Sequence, residues 1–385
     1  MSTPNESLFD ANPERRHTDS QKWQKYAGKE ILPMWVADMD FKAPEPVLNA
    51  LHERIDHGIF GYARPVASTT EAIIEMLERN YGWKVQAEWL VWLPGLVVGI
   101  NVAANAFASP EESILTTTPI YPPFIFGPKF QGRGVVKAPM ARDGDRYVFD
   151  WDALEEAVQP HTKVFLLCNP HNPCARVLDR EELEKVDAFC EKHDLICCSD
   201  EIHCELLLDG RKHIPIATLS PEAEQRTFTF IAPSKTYNLA GLGCSLAIIP
   251  NESHRRKFQA ASRGIVAEVN NLGYVACEAA YRHGGTWRDE LLTYLEGNRD
   301  LIHSYIKSEI PEIGLYQHEA TYLAWMDVTK LDLKDPVAHF ESHGLGLSDG
   351  AFFDDAKHVR LNFGCSRHTL QEGLKRLKDG VTALR

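Results

Sequence analysis

Between about residues 90 and 250, the sequence alternates between short apolar runs and stretches with the periodicity of a helix. The runs that we interpret as strands are SILTTT, GVVKAP, KVFLLCNP, LICCSDE, TFTFIAP and SLAIIP. The charged segment REELEKVDAFCEKH lies between two of them and has the spacing of an amphipathic helix. VFLLC and LICC are apolar at consecutive positions, as strands are when helices cover both faces of a parallel sheet. This alternation predicts a large wound α/β domain with a mostly parallel sheet.

Polar clusters begin where three of these apolar runs stop. NPHNP starts at Asn169, SDEIH starts at Ser199 and PSKTYN starts at Pro233. Ligands of open α/β sheets bind beyond the carboxyl ends of the strands. The sequence therefore predicts that the three clusters meet at one pocket.

The pattern changes beyond residue 290. A long amphipathic helix (DELLTYLEGNRDLIHSYIKSEI) and a Pro-Glu-Ile-Gly break precede two strand-like runs, TYLAWMDV and VRLNFG. At 385 residues, the chain is longer than a single hydrophobic core usually allows. We therefore predict an N-terminal segment at 1–48 that joins the small domain, a large α/β domain at 49–288, and a small α+β domain at 289–385.

Charge and cysteine content restrict the partners and the compartment. The net charge of −13 disfavours nucleic acid, whose binding requires a basic surface. No stretch approaches 18 apolar residues and the first residues do not resemble a signal peptide, so we expect neither a membrane partner nor secretion. The nine cysteines contain no C-x-x-C pair, which favours reduced thiols in the cytoplasm.

The run PSKTYNLAGLG, together with SDEIH and NPHNP, resembles the fold-type I pyridoxal 5'-phosphate (PLP) enzymes of the aspartate aminotransferase superfamily. Within it, LPMWVADMDF, GIFGYARP, SDEIHC and VRLNFGCSR are similar to signatures of the MalY/PatB-type cystathionine β-lyases. The resemblance spans most of the chain, and the order and spacing of the motifs support it. It implies a PLP-dependent transferase-like fold and a PLP cofactor.

The resemblance implies roles at the cofactor ring. Lys235 would bind PLP as a Schiff base and, once released by substrate, act as the base at the substrate Cα. Asp200 would keep the pyridine nitrogen protonated, and Asn172 would hydrogen-bond the ring 3'-oxygen. His203 stands where aminotransferases usually place a tyrosine, which favours a lyase. Tyr121 would stack on the ring, and we name it with Lys235 as a catalytic candidate.

The cofactor phosphate needs donors. Gly95, Leu96 and Val97 begin a predicted helix whose free backbone amides can bind an anion. Ser234 adds a hydroxyl. By resemblance, Tyr62 reaches the phosphate and the substrate of the neighbouring subunit, which predicts a homodimer.

The amino-acid substrate is expected to bind beside the cofactor. Arg360 in VRLNFG matches the arginine that clamps the substrate carboxylate, and a planar guanidinium can form two parallel bonds to it. Ala37 would line the same pocket through its backbone, and we assign Asp38 no catalytic role. The histidines and aspartates do not have metal-ligand spacing, so we expect no metal.

Two positions depart from the family pattern. Many members have an arginine eight or nine residues beyond the lysine to pair with the phosphate, where this chain has Gly243 and Cys244. The counter-charge of the phosphate is therefore unassigned. Ala175 replaces a family glycine, and because alanine disfavours left-handed backbone we expect an altered turn there.

The main functional hypothesis is a PLP-dependent carbon-sulfur β-lyase that converts cystathionine or cysteine S-conjugates to thiol, pyruvate and ammonia. An aminotransferase remains open, because it shares the early steps and the sequence separates the two poorly. A binding or regulatory protein that retains the fold is the third alternative. The sequence does not indicate which thioether is preferred.

Overall fold

The computed structural model describes residues 7–11 and 13–385; residues 1–6 and 12 of the predicted N-terminal segment lie outside the described residues. The strands are β1 (Leu32–Pro33), β2 (Leu90–Leu93), β3 (Ser113–Thr118), β4 (Gly134–Pro139), β5 (Ala141–Asp143), β6 (Arg146–Val148), β7 (Thr162–Cys168), β8 (Ile196–Asp200), β9 (Thr227–Ile231), β10 (Ser245–Ile248), β11 (Gly314–Leu315), β12 (Leu323–Asp327), β13 (Leu345–Gly346), β14 (Ser348–Asp349) and β15 (His358–Asn362). The helices are α1 (Gln21–Gln24), α2 (Glu45–His57), α3 (Ala67–Tyr81), α4 (Leu96–Phe107), α5 (Pro123–Phe130), α6 (Trp151–Ala157), α7 (Arg180–Lys192), α8 (Pro221–Arg226), α9 (Glu252–Ser262), α10 (Asn271–His283), α11 (Gly285–Glu309), α12 (Pro336–Ser342) and α13 (Arg367–Thr382).

The large sheet has seven strands in the order β2-β10-β9-β8-β7-β3-β4. β10 runs antiparallel to both of its neighbours, and the pairs from β9 to β4 are parallel. Successive side chains of a strand point to opposite faces. Accordingly, Ile114 and Leu166 pack in one core with α4, whereas Leu115 and Phe165 pack in another with α7. Both faces are covered, which explains the continuous apolar runs of the sequence.

Local signals of the sequence define several helix ends. Asp179 and Glu182 form a capping box at the start of α7, and each side chain accepts a hydrogen bond from the other residue's backbone amide. α2 ends at Gly58, whose φ of 74° lies in the left-handed region that glycine adopts readily. The helix predicted at REELEKVDAFCEKH is confirmed as α7.

A second, smaller sheet has the strand order β11-β12-β15-β14 and is antiparallel. The strands predicted at TYLAWMDV and VRLNFG are β12 and β15, and their register places Arg360 opposite Trp325. β1 pairs in parallel with β13, so that Leu32 lies beside Leu345. The N-terminal segment is thus hydrogen-bonded to the C-terminal part of the chain, while the boundaries at 48 and 288 stay a prediction.

No helix in the described part of the chain is both long enough and apolar enough to span a membrane.

Candidate active site

A cavity of about 230 Å³ lies at the carboxyl ends of β7, β8 and β9. The clusters NPHNP, SDEIH and PSKTYN all contribute to its wall, as predicted. The residues that line it are Ala37, Pro94, Gly95, Leu96, Val97, Val98, Tyr121, Cys168, Asn172, Asp200, Ile202, His203, Ser234, Lys235, Ala240, Gly243, Cys244 and Ser245.

The amine of Lys235 lies on the wall of this cavity, and its Nζ donates a hydrogen bond to the carbonyl oxygen of Ala37 at 2.7 Å. The hydroxyl of Tyr322 donates to the same carbonyl at 3.1 Å. Enclosure by protein, followed by the positive charge of Arg360, lowers the pKa of Lys235 to about 8, although Asp38 and Asp200 oppose this shift. A large share of the amine is therefore in its nucleophilic, unprotonated form at moderately alkaline pH.

The carboxylate of Asp200 is buried at the end of β8. One oxygen accepts a hydrogen bond from the backbone amide of Ile202 at 3.1 Å, and no basic side chain of the described residues forms an ion pair with it. Burial raises the pKa of Asp200 to about 7. A cationic N–H group in the cavity would stabilise the ionised form of this carboxylate.

Asn172 and His203 are both buried in the cavity wall. The side-chain oxygen of Asn172 accepts a hydrogen bond from Arg360 at 2.8 Å. Burial, followed by the charge of Lys235, lowers the pKa of His203 to about 3, so its imidazole is neutral. Nδ1 of His203 has no hydrogen-bond partner in the part of the chain that the structure describes. Both side chains can therefore hydrogen-bond a polar ligand.

Tyr121 lies in the proline-rich loop between β3 and α5, and its backbone amide donates to the carbonyl of Asn172 at 3.1 Å. Its ring is partly buried and lines the cavity. Desolvation raises the pKa of its hydroxyl. The ring can therefore form one side of a slot for a flat ligand.

The start of α4 also lines the cavity. Gly95 is the N-cap residue of α4, and no side chain caps this helix. Leu96, Val97 and the hydroxyl-bearing Ser234 line the cavity beside it. Helix N-termini favour anions because the first backbone amides point outward and the helix dipole is positive there.

Arg360 extends from β15 toward Asn172 and is buried. Its Nη2 donates to the carbonyl of Trp35 at 3.1 Å and to Ser348 at 3.3 Å, and its guanidinium lies 4.7 Å from the centre of the Phe353 ring. No carboxylate of the described residues pairs with it, and its Nε has no partner there. Burial lowers the pKa of Arg360 to about 10. The guanidinium therefore stays charged at neutral pH and is available to a carboxylate ligand.

The sequence prediction did not include the side chains that hold the segment around Ala37. Nδ2 of Asn362 donates to the carbonyls of Val36 and Asp38, the latter at 2.7 Å, and Asn238 donates to Met39 at 2.9 Å. Asn362 lies two residues beyond the predicted Arg360 on a strand, and positions separated by two share a face. This spacing was the signal that could have identified it.

Two ion pairs also hold this segment in place. Asp38 pairs with Arg15 at 2.6 Å, and Asp40 pairs with Lys22 at 2.7 Å. Asp38 is therefore engaged in an ion pair, and its exclusion from the catalytic residues stays a prediction. The contacts of Tyr322 with Ala37 were also missed, because nothing in TYLAWMDV distinguishes a cavity tyrosine from a core one.

Tyr62 is the one predicted site residue that the structure places away from the others. Its side chain is fully exposed in the segment between α2 and α3, and it does not line the cavity of its own chain. Its predicted role in the site of a neighbouring subunit stays a prediction.

Comparison with known proteins identifies the relatives of this chain. Residues 29–377 match the family model for aminotransferases of class I and II. The chain belongs to this family. It is 39% identical to cystathionine β-lyase PatB of Bacillus subtilis strain 168, over 97% of this chain and 100% of the relative.

Two solved structures resemble this aminotransferase-family chain over most of its length. The crystal structure of OvoB is 45% identical, with a TM-score of 0.95, and covers 97% of this chain and 99% of OvoB. The structure of the PLP-bound C-S lyase from Staphylococcus hominis is 31% identical, with a TM-score of 0.92 and 97% of each chain covered. The predicted fold class, a large wound α/β domain with a mostly parallel sheet and a smaller α+β domain, is confirmed.

The two departures from the family pattern have different outcomes in the structure. Gly243 and Cys244 line the cavity, and they add no positive charge to it. The expectation that Ala175 would avoid left-handed backbone was wrong, because its φ is 53°. Backbone bonds from Ala175 N to His171 O at 2.8 Å and from Glu319 N to Ala175 O at 2.8 Å hold this conformation, which costs about 1 kcal/mol for alanine.

Proposed function

We propose that this chain is a PLP-dependent carbon-sulfur β-lyase acting on cystathionine or other cysteine thioethers. The observation that best supports the proposal is that the Lys235 amine and the buried Asp200 carboxylate line the same cavity and each has a shifted pKa. Both residues occur in a chain that is 39% identical, over 97% of its length, to a protein named cystathionine β-lyase.

The cavity fits PLP group by group. The unpaired Asp200 suits the ring nitrogen, and Asn172 and the unpartnered Nδ1 of His203 suit the ring hydroxyl. Tyr121 suits the face of the ring. The uncapped start of α4 and Ser234 suit the phosphate. When bound, PLP supplies an electron sink that makes the substrate Cα–H bond acidic.

The residues then act in sequence on an amino-acid substrate. Arg360 binds the α-carboxylate and so orients the Cα–H bond toward Lys235. The neutral Lys235 amine accepts the Cα proton, while the ionised Asp200 keeps the ring nitrogen protonated. The electron pair released at Cα forms a double bond to Cβ, and the Cβ–S bond breaks to release the thiolate. The remaining enamine is hydrolysed by water to pyruvate and ammonia.

The lowered pKa of Lys235 predicts the pH dependence of cofactor binding. Only the unprotonated amine reacts with the PLP aldehyde, so we expect the apoenzyme to combine with PLP faster as pH rises from 6 to 8 and to reach a plateau above the pKa of about 8. About one tenth of the amine is unprotonated at pH 7, whereas a lysine with the ordinary pKa of 10.5 would be only about 0.03% unprotonated. Stopped-flow visible absorbance measures the rate; an increase that continues tenfold per pH unit beyond pH 9 would contradict the shift.

The test of the proposed reaction is release of pyruvate from cystathionine without an added 2-oxo acid. Lactate dehydrogenase and NADH report the pyruvate, and the assay is repeated with 2-oxoglutarate and with a panel of cysteine thioethers and common amino acids. Turnover that requires 2-oxoglutarate would assign an aminotransferase instead. Failure on every thioether would overturn the lyase proposal.

We further propose that two copies of the chain form the active enzyme. Val97 lines the cavity and is exposed, and the exposed Ile265 lines a neighbouring surface cavity together with Val97. That neighbouring surface cavity includes Val97 and Ala267, and Ala267 also lines a third cavity with the segment 60–64. Large exposed apolar surfaces are typical of protein–protein interfaces. In a dimer with twofold symmetry, the apolar surface around Val97 would be buried against the same surface of the second copy. Sedimentation of the intact chain tests the dimer.

The cytoplasm is the proposed compartment. All nine cysteines are buried, unpaired thiols, which agrees with a reducing environment.

A further inference from the structure

The cavity offers little positive charge to a bound phosphate. In the part of the chain that is described, Asp200 and Lys235 are the only charged side chains that line it, and Lys235 is proposed to be joined to the cofactor aldehyde. Gly95 and Ser234, which are proposed to hold the phosphate, and Gly243, which lines the same cavity, are uncharged. Amide and hydroxyl donors alone bind a phosphate dianion more weakly than a set that includes a guanidinium. A cation from outside this chain would complete the site.

Arg64 is a suitable cation on the adjacent surface. Its side chain is exposed, and it forms no ion pair with any described residue, although Glu268 lines the same surface cavity. Pro65 follows it, and a residue before proline is restricted to extended backbone. This restriction lowers the backbone entropy that is lost when the segment is fixed in an interface.

Arg64 also lies close to Tyr62 along the chain. Two residues of extended chain span about 7 Å, which is comparable to the length of an arginine side chain. A phosphate that accepts a hydrogen bond from Tyr62 is therefore within reach of the Arg64 guanidinium of the same segment. Tyr62 and Arg64 line one surface cavity together with Ala267. Ala267 also lines the neighbouring surface cavity that contains Val97.

We infer that Arg64 of the partner subunit pairs with the cofactor phosphate and replaces the arginine that Gly243 and Cys244 cannot provide. The inference rests on the proposed PLP function and on the proposed dimer. In a twofold assembly the contact is reciprocal, so each copy completes the phosphate site of the other. The affinity for PLP then depends on the dimer, whereas the affinity for pyridoxal, which has no phosphate, does not depend on this arginine.

The binding test compares the wild-type and Arg64→Gln apoenzymes by absorbance titration. We expect the Kd for PLP to rise by about tenfold or more in Arg64→Gln and the Kd for pyridoxal to change by less than about twofold. The loss should shrink at high salt, because screening weakens the pair in the wild type. If sedimentation shows that the wild type and Arg64→Gln are both dimers and they bind PLP with equal affinity, the inference is overturned. The lyase proposal is not affected by that result.

Two further variants separate charge from packing. Arg263→Gln removes another exposed arginine that has no ion pair among the described residues, and it should leave the Kd for PLP unchanged. Arg64→Lys keeps the charge and should recover most of the affinity. If Arg64→Lys and Arg64→Gln lose the same affinity for PLP, or if only Arg263→Gln loses affinity, the effect is not due to the charge of Arg64.

The position of Arg64 in the second subunit is tested with mixed dimers. A heterodimer of an Arg64→Gln copy and a Lys235→Ala copy has one site with both Lys235 and Arg64 and one site with neither. We expect one PLP to bind per heterodimer with wild-type affinity, and weak binding in both parent homodimers. Weak binding at every site of the heterodimer would show that Arg64 acts within its own chain.

Discussion

Lys235→Ala is expected to lower the rate of pyruvate release from cystathionine by at least about 1,000-fold. The enclosed amine has two proposed tasks, because it binds the PLP aldehyde and later accepts the Cα proton. The carbonyl of Ala37, which accepts its hydrogen bond at 2.7 Å, cannot perform either task. The measurement is the pyruvate assay together with the visible absorbance of the cofactor bound to the protein, and both should be lost.

Lys192→Ala is the matched control for this variant. Lys192 is exposed and pairs with Glu155 at 2.8 Å, outside the residues that line the cavity. Its loss should change the rate by less than about twofold, since exposed ion pairs contribute little. Methylamine added to Lys235→Ala should restore part of the activity, because a small amine can serve as the missing base. Normal pyruvate release by Lys235→Ala would refute the assignment.

Arg360→Met is expected to lower kcat/KM by about 100- to 1,000-fold, mainly through KM, without lowering the melting temperature of the free enzyme. The buried guanidinium has no carboxylate partner among the described residues. Because burying a charge without a counter-charge costs free energy, this arginine destabilises the enzyme when no substrate is bound. Methionine has a similar volume and carries no charge. Loss of a bidentate bond to the substrate carboxylate corresponds to about 3–4 kcal/mol of transition-state binding.

Arg176→Met provides the contrasting control. Arg176 is also buried, but it forms an ion pair with Glu182 and lies outside the cavity lining. Removing it leaves Glu182 without its nearest partner, so the melting temperature should fall while KM stays the same. Steady-state kinetics and thermal unfolding of both variants form the experiment. A marked fall in the melting temperature of Arg360→Met with unchanged KM would contradict the proposed role of Arg360.

The fold and most of the cavity were predictable because they follow from local patterns. Apolar runs defined the strands, and the polar clusters at their ends converge because parallel strands end at one edge of the sheet. Lys235, Asp200 and Asn172 lie in such clusters, and the structure places all three around one cavity. Their chemical roles stay predictions, although the cavity has the charges and hydrogen-bonding groups that those roles need.

The parts that were not predicted depend on contacts between distant parts of the chain. Tyr322 reaches Ala37, and Asn362 reaches the backbone on either side of it, across about 300 residues of sequence. No local pattern indicates such pairs. The left-handed Ala175 was mispredicted for the same reason, since an amide from Glu319 holds the turn in a conformation that alanine alone disfavours.

The pairing of β1 with β13 has a consequence for the newly made protein on the ribosome. The strand that contains Leu32 cannot form until Leu345 has been synthesised, which is on the order of 300 residues later. At about 5–20 residues per second, this delay is about 15–60 s. In about the last third of that interval the nascent chain has made Lys235 but lacks both Arg360 and the fixed segment that bears Ala37. The enzyme therefore cannot acquire a finished site until synthesis is nearly complete, and truncated chains that end before residue 345 should not compete for the cofactor with full-length protein.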